Sequence, residues 1–339
     1  MKRRFDLAVL GADSLVGAAL LELLAERRFP AGEVSALGLD AEEGANVEFA
    51  GHALPVDSAS AFDFGQVQLA FLADDDPRLA AEAERAADAG CVVVDAGGTA
   101  WRDPEIPRVV AGINDAALAG FNERGIVAAP DRVLVPLLRV LAPVHGECPL
   151  RSVHVTAMIP VSDAGRPAFQ DLARETTALL NARHIDRSHF KQQIAFNVHG
   201  QIGAVDGGGA TERERRIGDD LRNLLGAPEL SVSVHLVQVP LFYGYALTVD
   251  LLSDRPVDLE AVTRVLAASP GLDCRGPGDA GDCPSPVADA MASSSVQVAR
   301  LRQSAGTHSA ALWITADNIR CAAASNAVAC AEVLISDYL

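Results

Sequence analysis

The chain has 339 residues and sets 28 Lys and Arg against 45 Asp and Glu, a formal charge of −17. At about 100–200 residues per domain, that length accommodates two domains, each with enough chain to bury a core. A content of 49% hydrophobic and 22% charged residues argues against wholesale disorder. The acid surplus excludes nucleic acid and anionic membrane surfaces as partners, because both call for concentrated positive charge.

Residues 5–10 (FDLAVL) form an apolar run entering Gly11, and a helical pattern extends from Ser14 to Arg27: strand, tight turn, helix. A second apolar run at 34–39 ends at Asp40, and a third, VQLAFLA at 67–73, leads into a helix over 77–89. CVVVD at 91–95 reads as a strand of a parallel sheet covered on both faces. This alternation predicts a doubly wound α/β domain over the first 127 residues. After Pro130 the texture changes. Residues 133–144 predict an apolar helix, 151–161 a strand, and 167–183 and 211–225 two further helices. The alternating runs 230–239 and 243–252 read as antiparallel strands of a larger sheet, 270–286 as a loop, and 319–335 as an Ala-rich helix.

No apolar stretch approaches the roughly 20 residues that span a bilayer, and Asp6 and Asp13 break the run behind the basic start of the chain. A cytoplasmic protein is expected. Six scattered cysteines make neither a disulfide scaffold nor a zinc site, although Cys274 and Cys283 are close enough in sequence to bridge. His154, His199 and His235 have no metal-ligand spacing, so no metal is expected.

Gly11-Ala12-Asp13-Ser14-Leu15-Val16-Gly17 stands where a Rossmann phosphate loop belongs, between first strand and first helix. Gly11, Ala12, Ser14, Val16 and Gly17 are the candidate cofactor-binding residues, with Asp40 as acceptor for a ribose hydroxyl. The fingerprint is degenerate: Ser14 takes the middle glycine's place, and Asp13 puts an anionic side chain beside it. A strand–helix turn that needs glycine only for its geometry explains the motif equally well.

Five stretches together carry a family resemblance: GADSLVG (11–17), VVVDAGGTAWRDPEIPRVVAGIN (92–114), IAFNV (194–198), VPLFYG (239–244) and LWITADNIRCAAASNAV (312–328). The whole chain resembles the aspartate-semialdehyde dehydrogenase family. The resemblance implies an α/β protein with a Rossmann-type doubly wound parallel sheet and an α+β catalytic and dimerisation domain. The dinucleotide-binding-like domain would span 1–127 with 319–339, and the catalytic-like domain 128–318. Members use NADP and phosphate to interconvert aspartyl phosphate and aspartate semialdehyde through a cysteine thioester, and they form dimers.

The residues that perform this chemistry in the family are replaced here. Its Asn-Pro-Asn-Cys-Ser segment corresponds to Ala129-Pro130-Asp131-Arg132-Val133, so Arg132 stands at the nucleophile position. The active-site histidine falls at Tyr245, the substrate-binding arginine at Gln238, and a polar glutamine at Ile159. A phosphate-binding arginine falls at Trp101, with Arg102 next, while the cation of the central helix survives as Arg216. On the cofactor side, an Ala-Gly-Gly turn becomes Asp74-Asp75-Asp76, and the Arg-Ser pair that grips the 2′-phosphate becomes Ala41-Glu42. Cys321, at the start of the last helix, is a faint substitute nucleophile, its thiol open to activation by the helix dipole.

The expectation is therefore an aspartate-semialdehyde dehydrogenase-like protein with no intact catalytic set. NADP or NAD binding is implied by the family alone, and the replaced cofactor positions argue against it. In the inactive reading, Arg102, Arg132, Arg216 and Tyr245 are candidates to hold a small anionic ligand, with Arg132 neutralised by an acid such as Asp131 as the plainer account. A homodimer is expected, and a heterodimer with an active relative is the other protein partner considered. The alternative is a working NAD(P)-dependent oxidoreductase of semialdehydes and acyl phosphates with a modified mechanism.

Overall fold

The computed structural model describes residues 3–39, 44–97, 103–185, 187–276, 278 and 282–339. The chain divides into two compact units, Met1–Val135 with Ala322–Leu339, and Pro136–Cys321.

In the first unit, β1 (Phe5–Leu10) is apolar and almost wholly buried, as a strand covered on both faces requires. α1 (Leu15–Glu26) returns the chain to β2 (Ala31–Gly38), parallel to β1. A hairpin that the periodicity did not reveal comes next, β3 (Asn46–Phe49) antiparallel to β4 (His52–Ser58). Its two-residue turn, Ala50-Gly51, has both residues at positive φ, which matches the twist of paired strands. β5 (Leu69–Leu72), α2 (Pro77–Asp88), β6 (Val92–Asp95) and β7 (Ile126–Ala128) extend the sheet on the other side of β1. The order is β3-β4-β2-β1-β5-β6-β7, parallel throughout except for the hairpin. The doubly wound expectation is met. The strand order reverses beside β1, so the turn after β1 stands at the switch point where such sheets form their crevice.

α2 buries Leu79, Ala83 and Ala86, a single face at helical spacing, against the core that Leu10 and Leu72 share. Asp76 caps its first turn and Pro77 occupies the position where a missing N–H does no harm. The carboxy-terminal helix, Ser325–Asp337, belongs to this unit. Its Asn326 accepts from the Ala111 N–H and donates to the Val109 carbonyl, both at 3.0 Å, and its Glu332 pairs with Arg27 at 3.2 Å.

The boundary between the units falls in the first turn of α3 (Leu134–Glu147). β8 (Leu150–Ile159) then alternates buried Val153, Val155, Ala157 and Ile159 with polar or partly exposed residues, so one sheet face is covered and the other open. α4 (Gly165–Leu180), α5 (Glu212–Leu224), β9 (Ser231–Gln238), β10 (Tyr245–Ser253), α6 (Leu259–Ala268), β11 (Leu272–Cys274), β12 (Val296–Ser304) and β13 (Gly306–Ala316) complete the unit. The sheet order is β11-β12-β13-β10-β8-β9.

One expectation, the loop over 270–286, needs correction here, and another is met: β9 and β10 run antiparallel within one larger sheet, with β8 between them, parallel to β9 and antiparallel to β10. The connecting segment explains why. Val239 donates to the Ile159 carbonyl, and Leu241 and Phe242 accept from Val161 and Ser162, so residues 239–242 cross the end of β8 and do not close a hairpin. Within 270–286, residues 272–274 form the short strand β11, parallel to β12. Among the described residues, no helix is long and apolar enough to cross a membrane.

α4 carries two buried carboxylates one turn apart. Asp171 accepts from the backbone N–H groups of Ser188, His189 and Phe190, and Glu175 from those of Ile194 and Ala195. Residues 188–195 are thereby tied to the helix without secondary structure of their own.

Candidate active site

The turn after β1 is held by its own backbone. Gly11 takes φ +76, and the N–H groups of Gly11 and Ala12 both donate to the Leu37 carbonyl, at 2.8 and 3.1 Å. Ser14 caps α1: its hydroxyl accepts from Gly17 N–H at 2.9 Å and donates to the Ala73 carbonyl at 2.8 Å. That bridge to the end of β5 is a physical reason for a serine at the middle position. Gly17 packs so tightly that a Cβ would lie 2.2 Å from the Gly11 carbonyl oxygen. Ala12 and Val16 are buried, and Asp40 lies outside the described residues.

The three consecutive acids each have a separate place. Asp74 accepts from the Asp76 N–H at 2.9 Å, and its Cβ would be 2.9 Å from a Cβ at Gly11, so it abuts the first turn. Burial pushes its carboxyl above the ordinary range, and the neighbouring acids add to that. Asp76 is held low by Arg78, to which it is both helix cap and ion pair at 2.9 Å. Asp75 is ion-paired with Arg132. Its Oδ1 would lie 2.2 Å from a Cβ at Gly97, so a side chain there would displace this carboxylate from its present position. Asp131, the acid adjacent to Arg132, accepts from the Val133 N–H at 3.1 Å. The Arg132 partner at Asp75 was not foreseen; it lies fifty-seven residues away in sequence.

In the second unit, Ile159 and Gln238 are register partners at the ends of β8 and β9, and the Gln238 amide donates to the Ile159 carbonyl at 2.8 Å. Both side chains are buried. Tyr245, the first residue of β10, is also buried, and its hydroxyl donates to Asp163. The other oxygen of Asp163 accepts from Arg213 at 2.7 Å. Arg216 lies three residues further along α5 and is half-buried. Trp101 and Arg102 lie outside the described residues, as do Ala41 and Glu42.

Asp163 and Arg213 are the residues that sequence reasoning missed. Thr211 and Glu214 form a reciprocal capping box whose Thr-x-x-Glu spacing was readable and fixes Arg213 in the first turn of α5. That this arginine meets Asp163 is visible only in three dimensions. Asn318 ties the start of β10 to the segment after β8: its carbonyl oxygen accepts from the Gly244 N–H at 2.9 Å and its amide donates to the Ser162 hydroxyl at 3.0 Å.

The thiols correct one expectation. Cys321 lies in a short π-helical turn (Arg320–Ala324) ahead of the last helix, wholly buried, and burial pushes its pKa up to about 11 against the opposing influence of Arg139. Desolvation therefore outweighs any dipole activation. Cys274 and Cys283 are both free thiols. Among the described residues no group of three or more His, Cys, Asp or Glu could hold a metal ion.

Two family models match the sequence: semialdehyde dehydrogenase, NAD binding domain, over residues 6–121, and semialdehyde dehydrogenase, dimerisation domain, over 141–321. A USG-1 protein homolog from Azotobacter vinelandii is 39% identical over 338 residues, covering 99% of each chain. Aspartate-semialdehyde dehydrogenase 2 from Vibrio cholerae is 35% identical over 340 residues, covering 100% of each. The solved structure of aspartate semialdehyde dehydrogenase II from Vibrio cholerae, complexed with ASA, superposes with a TM-score of 0.95 at 34% identity and covers 100% of both chains.

Proposed function

The chain belongs to the semialdehyde dehydrogenase family, and from that membership we propose an aspartate-semialdehyde dehydrogenase-like protein that no longer performs the phosphorylating oxidation and serves in binding. One observation carries the reading. Arg132, at the position the resemblance assigns to the nucleophile, is a buried guanidinium ion-paired with Asp75. Thioester formation needs a thiolate at the attacking position, and a guanidinium, protonated at any physiological pH, has no electron pair to offer. Cys321 does not replace it: with a pKa of about 11, on the order of one thiol in ten thousand is ionised at neutral pH.

Dinucleotide affinity is reduced in this reading. The family model describes an NAD binding domain, yet Asp74 abuts the Gly11 turn and the turn's first amides are engaged by Leu37. Anionic side chains there oppose a pyrophosphate. An incoming small anion meets a similar obstacle, since Arg132 and Tyr245 already hold carboxylates of the chain, Asp75 and Asp163. Association through the dimerisation domain, as a homodimer or with an active relative, is therefore the binding role best supported.

The test is phosphate-dependent reduction of NADP or NAD with aspartate semialdehyde. No turnover above background is expected. Turnover abolished by Cys321→Ala would replace this reading with a modified dehydrogenase, which the full-length likeness to aspartate-semialdehyde dehydrogenase 2 favours. For the anion reading, stabilisation of the fold by phosphate, citrate or aspartate that disappears in Arg132→Ala would reinstate a ligand at Arg132.

A further inference from the structure

In an open parallel sheet, ligands settle outside the carboxyl ends of the strands, where the strand order reverses. Here that place lies between β1 and β5, whose last residues, Leu10 and Leu72, are register partners. One rim of the crevice is the turn after β1, residues 11–14, and the other is the segment after β5, residues 73–76. The Ala73 N–H donates to the Leu10 carbonyl at 2.9 Å, and the Ser14 hydroxyl spans the rims to the Ala73 carbonyl at 2.8 Å. A pyrophosphate uses a glycine turn and a helix start. Gly11, Gly17 and the first turn of α1 supply both. The acids on the opposite rim do not fit that group.

The acids of that rim are unequal. Asp75 is paired with Arg132, and Asp76 with Arg78. Among the described residues Asp74 has no ion-pair partner; its carboxylate accepts from the Asp76 N–H at 2.9 Å. It is packed onto the glycine turn, since a Cβ at Gly11 would meet the Asp74 Cβ at 2.9 Å and its backbone nitrogen at 3.4 Å. Asp74 is half-buried, so water screens its charge less than that of exposed Asp13 on the facing rim. At ~5 Å and an effective dielectric of ~20, one uncompensated charge weakens anion binding on the order of a hundredfold. We propose that Asp74 is the residue that keeps dinucleotides out of this crevice, and that the cradle of Gly11, Gly17 and α1 is otherwise intact, so that neutralising this one side chain admits NAD. This assignment rests on the reduced dinucleotide affinity proposed for the chain and narrows its cause to one carboxylate.

Isothermal titration of NAD into the full chain reads binding without any need for turnover. The parent should show no saturable binding up to millimolar NAD. Asp74→Asn keeps the volume of the side chain and an acceptor for the Asp76 N–H, and should bind at least about tenfold below the parent's limit. Asp74→Ser, whose hydroxyl can accept the same N–H, should behave alike. Urea midpoints establish that both variants are folded. Asp13→Asn, on the facing rim, should gain far less. Micromolar binding by the parent would overturn the proposal together with the reduced dinucleotide affinity. No gain in either folded variant would overturn the assignment to Asp74 and leave the reduced affinity standing. An equal gain in Asp13→Asn would overturn it too, by making the summed charge of both rims the cause.

Discussion

The buried guanidinium of Arg132 and the carboxylate of Asp75 form an ion pair that joins the segment after β7 to the segment after β5. The two partners differ in exposure: the Arg132 side chain is 9% accessible and that of Asp75 38%. Asp75→Ala therefore deprives a buried cation of a carboxylate, whereas Arg132→Leu leaves an acid that water can reach. We expect Asp75→Ala to lower stability by about 1–3 kcal/mol, and Arg132→Leu by less. Urea unfolding of both single variants and the double variant checks this; additive losses would show that the pair is not coupled.

Gly97→Ala should reproduce the Asp75 phenotype, because the new Cβ would fall 2.2 Å from Asp75 Oδ1. The carboxylate end must then swing away from Arg132. Introduced into Asp75→Ala, the same change should cost far less, and an equal cost in both backgrounds would mean that the backbone around Gly97 is what resists it.

Tyr245→Phe removes a buried hydroxyl that donates to Asp163, leaving that carboxylate with Arg213. A loss of about 1.5–3 kcal/mol is expected for a hydrogen bond to a charged acceptor. A variant indistinguishable from the parent in urea would show that Asp163 is adequately satisfied without the tyrosine.

Acid stability should depend on Asp171. Burial opposes its ionisation, but hydrogen bonds from Ser188, His189, Phe190 and Arg174 outweigh burial and hold its pKa well below the ordinary range. A depressed folded pKa gives stabilisation that is complete above the unfolded value, about 3.9, and lost as pH falls towards the folded one. Urea midpoints between neutral pH and pH of about 3 should fall more steeply in the parent than in Asp171→Asn. Parallel slopes would remove Asp171 from the account of acid unfolding.

The thiols should separate into classes. With pKa values pushed up to about 11 by burial, Cys91 and Cys321 should resist alkylation until the chain unfolds, and exposed Cys283 should react first. Early labelling of Cys321 would reopen it as a nucleophile.

Much of the fold was legible because burial and turn geometry leave local marks. The apolar run 5–10, the glycines at 11 and 17, the serine cap at 14 and the capping box at 211–214 each announce an element within a few residues. The β3–β4 hairpin was not legible: its strands are short, polar and largely exposed, and Ala50 in its turn gives no glycine-pair signal. The place of β8 between β9 and β10 was not legible either, because alternation reports which faces are buried and carries no information about which strand lies alongside.

The sequence by itself determined that the chain folds as this family does, since apolar runs, turn glycines and the matched stretches are local to the chain. Only the tertiary structure decided what the candidate site residues touch. Arg132 finds Asp75, Tyr245 finds Asp163 with Arg213, Gln238 closes on Ile159, and Cys321 is kept a thiol by burial. An ion pair between residues fifty-seven apart, or a pKa set by exclusion of water, depends on distances and dielectric surroundings that no local pattern of residues encodes.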